Sequence, residues 1–103
     1  MAFNSDLTIA EGVATIRLSG ELDAVTAPDF HRTIQNITAL AVHRLVISMH
    51  ELTYISSAGL RSLVFARQNM DEAVSLVMAG AVPMVERTIR MAGLDLGIEL
   101  TDD

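Results

Sequence analysis

The apolar positions change period several times along the chain, and each change marks an element. Leu7 and Ile9 alternate with polar neighbours, which predicts a short strand. Glu11-Gly12 predicts a turn. Ala14, Ile16 and Leu18 then fall on one face of a second strand, paired antiparallel with the first and closed by Ser19-Gly20. Past "GELDAVTAPDF", Phe30, Ile34 and Ile37 recur at i, i+4 and i+7, the buried stripe of a helix. Thr26 is the expected N-cap of that helix, Pro28 falls in its first turn, and Asp29 takes the capping-box position.

"RLVIS" (44–48) is an apolar run of strand length. It predicts a central strand covered on both faces, as in a parallel sheet. "MHELTYI" reads as a connection. Leu60, Leu63 and Val64 then return to helical spacing, with Phe65 and Ala66 fitting it less cleanly, and a helix is expected from Ala58 to about Met70. "AVSLVMAG" predicts a strand. "VPMVERTIRMAG" predicts a helix with Pro83 near its start, Val85 and Ile89 on one face and Gly93 as its C-terminal cap. "GIEL" predicts a last short strand. The order β-β-α-β-α-β-α-β defines one α/β domain over residues 1–103. Its sheet is expected to be mixed and mostly parallel, with right-handed crossovers and covering helices.

Composition narrows the functional classes. Half of the 103 residues are hydrophobic, enough for one core, and only three Phe and one Tyr supply aromatic rings. Without cysteine there is neither a disulfide nor a thiolate metal site, which suits a reducing, cytoplasmic setting. The start "MAFNSDLT" lacks the basic and apolar regions of a signal peptide, and no apolar run reaches membrane-spanning length. With a formal net charge of −6 and no basic cluster, neither nucleic acid nor an anionic lipid surface is an expected partner.

The stretch "YISSAGLR" (54–61) carries the candidate chemistry. Ser57 reads as a helix N-cap, its hydroxyl accepting from the N–H of Gly59 or Leu60, an interaction of about 1 kcal/mol. Gly59 costs about 1 kcal/mol against alanine in a helix, and it leaves the backbone bare for another chain or a phosphate to approach. A nucleophile elbow is absent because Ile55 stands where glycine is required. His31, His43 and His50 read as surface histidines, none of them placed beside Ser57 by sequence. No metal-ligand cluster and no P-loop occur, so no catalytic residue, metal or cofactor is expected. Modification remains open. A helix N-terminus accommodates a phosphate, whereas a partner docked over it would meet about two negative charges. One like-charge pair at about 5 Å and an effective dielectric of about 20 costs about 3 kcal/mol, roughly a hundredfold in affinity.

"LSGELDAVTAP" and "YISSAGLRSLV", in that order and spacing, resemble a STAS domain, and more narrowly the bacterial anti-sigma factor antagonists, over about Leu7 to Leu100. The resemblance implies a STAS-like fold and a non-enzymatic signalling protein of transcription regulation. In its unphosphorylated form such a protein binds an anti-sigma factor serine kinase and so releases the sigma factor. Phosphorylation at the start of the second helix ends binding, and a metal-dependent, PP2C-type serine phosphatase restores it. Residue by residue, the phosphorylated serine falls on Ser57 and the motif glycine on Gly59. Ser56 is a second-ranked acceptor, and Asp23 matches the acidic residue of the G-E-L-D segment. Asp23, Ser56, Ser57, Gly59 and Arg61 form the expected partner-binding set, Arg61 lying one helical turn beyond Ser57. Two positions depart from the pattern: Ser48 and Ser56 stand where Asp is common, and each removes a negative charge beside the site. The family's usual last helix is expected to be shortened or absent. The same sequence class also includes STAS subunits that dock on the ATPase of a membrane ABC transporter, and scaffold proteins that a kinase binds but modifies poorly. An esterase lacks a placed base.

Overall fold

The computed structural model describes residues 3–93 and 98–102. Its elements are β1 (Asn4–Ala10), β2 (Val13–Leu22), α1 (Ala27–Thr38), β3 (Arg44–Ile55), α2 (Ser57–Asn69), β4 (Ser75–Ala79), α3 (Pro83–Met91) and β5 (Glu99–Thr101). They form one sheet of order β1-β2-β3-β4-β5, with β1 antiparallel to β2 and every other neighbour pair parallel. The expected element order and the central place of β3 are both found. The last strand begins at Glu99, and Gly97 of the expected "GIEL" lies outside the described residues.

The strand order explains the layering. Each parallel strand is added on the same side of the previous one, and right-handed crossovers then put every connecting helix on one face. Phe30, Ile34 and Ile37 of α1, Leu63 and Ala66 of α2, and Val85 and Ile89 of α3 all join a single core. There they meet Ala14, Ile16 and Leu18 of β2 and Leu45, Ile47 and Met49 of β3. At roughly 1.5–3 kcal/mol for each large side chain buried, this one layer supplies the driving force of the fold.

The other sheet face carries no helix, which corrects the expectation that "RLVIS" is covered on both sides. Leu45 and Ile47 are fully buried, whereas Arg44, Val46 and Ser48 are only half-buried. The run therefore alternates, with Val46 supplying apolar character on the open side.

Two expected connections are strand in the structure. The second strand continues past Ser19-Gly20 to Leu22, and "MHELTYI" is the second half of β3. Along β2 the buried positions keep a spacing of two through Ala14, Ile16, Leu18, Gly20 and Leu22. Along β3 the spacing is two up to Met49, then three to Leu52 and three to Ile55. The register shifts at the matching places, so β3 carries two bulges and the ladder resumes through Leu22↔Ile55. A bulge inserts one residue without ending pairing, and so it breaks the alternation by which a strand is read.

The helices differ from expectation in detail. Thr26 precedes α1 but makes no capping bond; its hydroxyl lies 2.8 Å from the Glu21 carbonyl oxygen. Asp29 pairs with Arg32 at 3.0 Å on the surface and closes no capping box. In α2 the inward stripe is Gly59, Ser62, Leu63 and Ala66, with Val64 only half-buried. Gly93 follows the C-cap Ala92 of α3 with φ +75°, and its N–H reaches the Arg90 carbonyl at 3.0 Å.

Candidate functional site

The site is built where β2 and β3 end side by side. Leu22 pairs with Ile55, and the Leu22 carbonyl accepts the Ser56 N–H at 3.0 Å. This bond hands the chain from β3 into α2 and sets the start of the helix against the segment beginning at Asp23.

Ser56, not Ser57, caps α2. Its backbone is extended (φ −95°, ψ 177°), and its Oγ accepts the Gly59 N–H at 3.2 Å. Ser57 is the first helical residue and is exposed, and its hydroxyl has no hydrogen-bond partner among the described residues. The expected cap is therefore displaced by one position. Ser57 sits where backbone N–H groups have no partner within the helix and the dipole is positive.

Gly59 is buried, which changes its meaning. A β-carbon there would collide with the Leu22 carbonyl oxygen and approach the Ile55 Cγ1 to 2.7 Å. The bare backbone admits the chain's own second strand, so Gly59 seats the helix and is not a point of approach for another molecule.

Asp23 is half-buried and organises the loop before α1. Its Oδ1 accepts the N–H groups of Val25 at 3.0 Å and Thr26 at 3.1 Å. Its own N–H donates to the Thr26 hydroxyl at 2.9 Å. Arg61 is exposed, one turn beyond Ser57, and forms no ion pair among the described residues. Asp23, Ser56, Ser57 and Arg61 thus lie around the start of α2, with Gly59 beneath them.

Three exposed apolar side chains at the same end of the sheet escaped the sequence reading. Val25 in the loop after β2, Tyr54 near the end of β3 and Met84 in the first turn of α3 are 86%, 45% and 56% exposed. Tyr54 and Met84 share a shallow groove with Ile55, Val85 and Thr88. Large apolar groups held in water beside a polar site are a usual feature of protein-binding surfaces.

No histidine serves Ser57. His31, expected at the surface, is half-buried and stacks on Phe65 with ring centroids 4.2 Å apart. Its Nε2 lies 3.1 Å from the hydroxyl of the fully buried Ser62. That hydroxyl donates to the Ala58 carbonyl at 3.1 Å, so the imidazole Nε2–H donates to Ser62. His50 is bonded to Ser48 at 3.0 Å, and the exposed His43 covers Gly12. Among the described residues no group of three His, Asp or Glu could hold a metal ion. No described helix is long and apolar enough to cross a membrane.

A five-stranded mixed sheet with three helices on one face, and a serine pair opening the second helix, define a class. The STAS domain family matches residues 4–103, and the chain belongs to it. The chain is 28% identical over 91 residues to the anti-sigma-F factor antagonist RsfB of Mycobacterium tuberculosis, an overlap of 86% of this chain and 75% of RsfB. The crystal structure of an anti-sigma factor antagonist from Mycobacterium paratuberculosis superposes with a TM-score of 0.91 at 25% identity, over 99% of this chain and 87% of the other. The Bacillus cell fate determinant SpoIIAA, in its phosphorylated form, shares the fold with a TM-score of 0.72 at 19% identity, over 96% of this chain and 90% of SpoIIAA.

Proposed function

We propose that this protein is an anti-sigma factor antagonist that switches partners through Ser57. The unphosphorylated form binds an anti-sigma factor serine kinase in the bacterial cytoplasm and releases the sigma factor. The kinase supplies ATP and transfers a phosphoryl group to Ser57. Binding then ends, until a PP2C-type serine phosphatase restores the hydroxyl. The chain itself contributes a surface and an acceptor rather than catalysis.

The observation that carries this reading is the division of labour between the two serines. Ser56 holds the cap bond and is half-buried, whereas Ser57 is exposed with its hydroxyl free. A kinase can therefore reach Ser57 without opening the helix. The helix start tolerates the new charge, because anions there gain roughly 0.3–1 kcal/mol from the dipole. A partner lying over Val25, Tyr54 and Arg61 would have to bury that charge. Similarity to RsfB, an anti-sigma-F factor antagonist by name, supports the same role.

The test is labelling with a kinase captured from the source bacterium by the unmodified protein, followed by site mapping with mass spectrometry. Phosphate on Ser57 is expected. Capture of an ABC transporter ATPase in place of a kinase would replace this reading with the transporter-subunit one.

A further inference from the structure

The open face of the sheet holds a polar depression of about 280 Å³, lined by Arg17, Ser48, His50 and Glu51. It is separate from the Ser57 site, which lies at the strand ends. Arg17 and Ser48 are register partners on β2 and β3, so their side chains stand next to each other on this face. The first bulge of β3 follows directly and brings both His50 and Glu51 to the same rim.

The imidazole of His50 is held from two sides. Its Nδ1 lies 3.0 Å from the Ser48 hydroxyl, and its ring rests on the α-carbon of Gly80. A β-carbon at position 80 would run into the ring, and φ is +73° there, so both space and backbone call for glycine. Arg17 has no ion pair or side-chain hydrogen bond among the described residues, although Glu51 lines the same depression. Arg17, like Arg44, Arg61, Arg67 and Arg87, has no carboxylate ion pair among the described residues. It stands next to an oriented hydroxyl, with Glu51 in the same depression and Asp6 as its register partner on β1.

We propose that this depression binds a small zwitterion. Its oxyanion sits on Arg17 and Ser48, and its ammonium group sits on Glu51. With Nδ1–H of His50 donating to the Ser48 oxygen, the Ser48 proton turns to the ligand, and His50 acts as a positioning residue. The guanidinium offers parallel N–H donors to two oxyanion oxygens. Glu51 makes a simple anion a poor fit, because its charge repels one unless a cationic group lies between. The volume suits a ligand of a few heavy atoms and falls below the usual range for larger cofactors.

The test is a ¹H–¹⁵N NMR titration of the whole protein with three probes. Ethanolamine phosphate and 4-aminobutyrate both place four bonds between the ammonium nitrogen and the acid centre and differ in the oxyanion; inorganic phosphate lacks the ammonium. At least one zwitterion should shift the amides of Arg17, Ser48 and His50 by ~10 mM, and at least several-fold more tightly than inorganic phosphate. The responding zwitterion decides between a phosphate and a carboxylate head. Arg17→Gln should abolish the shifts, and Glu51→Gln should remove the advantage over inorganic phosphate, with the rest of each spectrum unchanged. Absence of shifts at these amides with all three probes would overturn the proposal. So would shifts that survive Arg17→Gln, or inorganic phosphate binding as tightly as both zwitterions.

Discussion

The carbonyl of Leu22, at the end of β2, rests against the α-carbon of Gly59 in the first turn of α2, and the same carbonyl accepts the Ser56 N–H. One backbone oxygen therefore fixes both the start of the helix and its distance from the sheet. The position of Ser57 depends on this contact although Ser57 takes no part in it.

Gly59→Val should destabilise the domain in spite of the glycine's poor helix propensity. Inserting side-chain atoms between α2, Leu22 and Ile55 is an overpacking change of about 1–3 kcal/mol. Urea denaturation measures it through a lower midpoint at unchanged slope. A stabilised variant would show that the helix moves freely off β2. Because the change acts through the fold, Gly59 substitutions do not report on partner docking.

The two serines should separate cleanly. Ser56→Ala loses the cap and about 1 kcal/mol of stability while Ser57 still accepts phosphate. Ser57→Ala should abolish most labelling, leave the kinase engaged, and change stability by less than about 0.5 kcal/mol, as for an exposed surface site. Ser57→Asp should weaken binding by less than phosphorylation does, since it carries one charge and not about two. Labelling retained in Ser57→Ala but lost in Ser56→Ala would transfer the acceptor role to Ser56.

Tyr54→Ser and Met84→Ser should each weaken kinase binding by about tenfold or more while lowering thermal stability only modestly, since about half of each residue is already exposed. Calorimetric titration reads the affinity. Unchanged affinity in the double variant would remove the groove beside Ile55 from the docking surface.

His31 and Ser62 should be energetically coupled across the α1–α2 contact. A double-mutant cycle with His31→Ala and Ser62→Ala is expected to give a coupling of about 0.5–1.5 kcal/mol from their hydrogen bond. Additive effects would mean that the Phe65 stack alone holds the imidazole.

The element order, the parallel sheet and the stripe Phe30-Ile34-Ile37 were legible in the sequence, because local periodicity follows from burying one face of each element. The start of α2 within "YISSAGLR" was legible to within one residue. Other features depend on contacts between distant segments. The two bulges of β3 exist because β2 continues alongside it, and they turned half a strand into an apparent connection. That one sheet face carries no helix follows from strand order, and local pattern carries no information about that order. The cap fell to Ser56 because the Leu22 carbonyl captures its N–H, a bond between residues far apart in sequence. Gly59 reads in sequence as a weak point in a helix, and only the tertiary structure shows that the space it leaves is occupied by β2. Sequence spacing determined which side chains sit on each element. Packing between elements decided which of two adjacent serines holds the helix and which one faces the solvent.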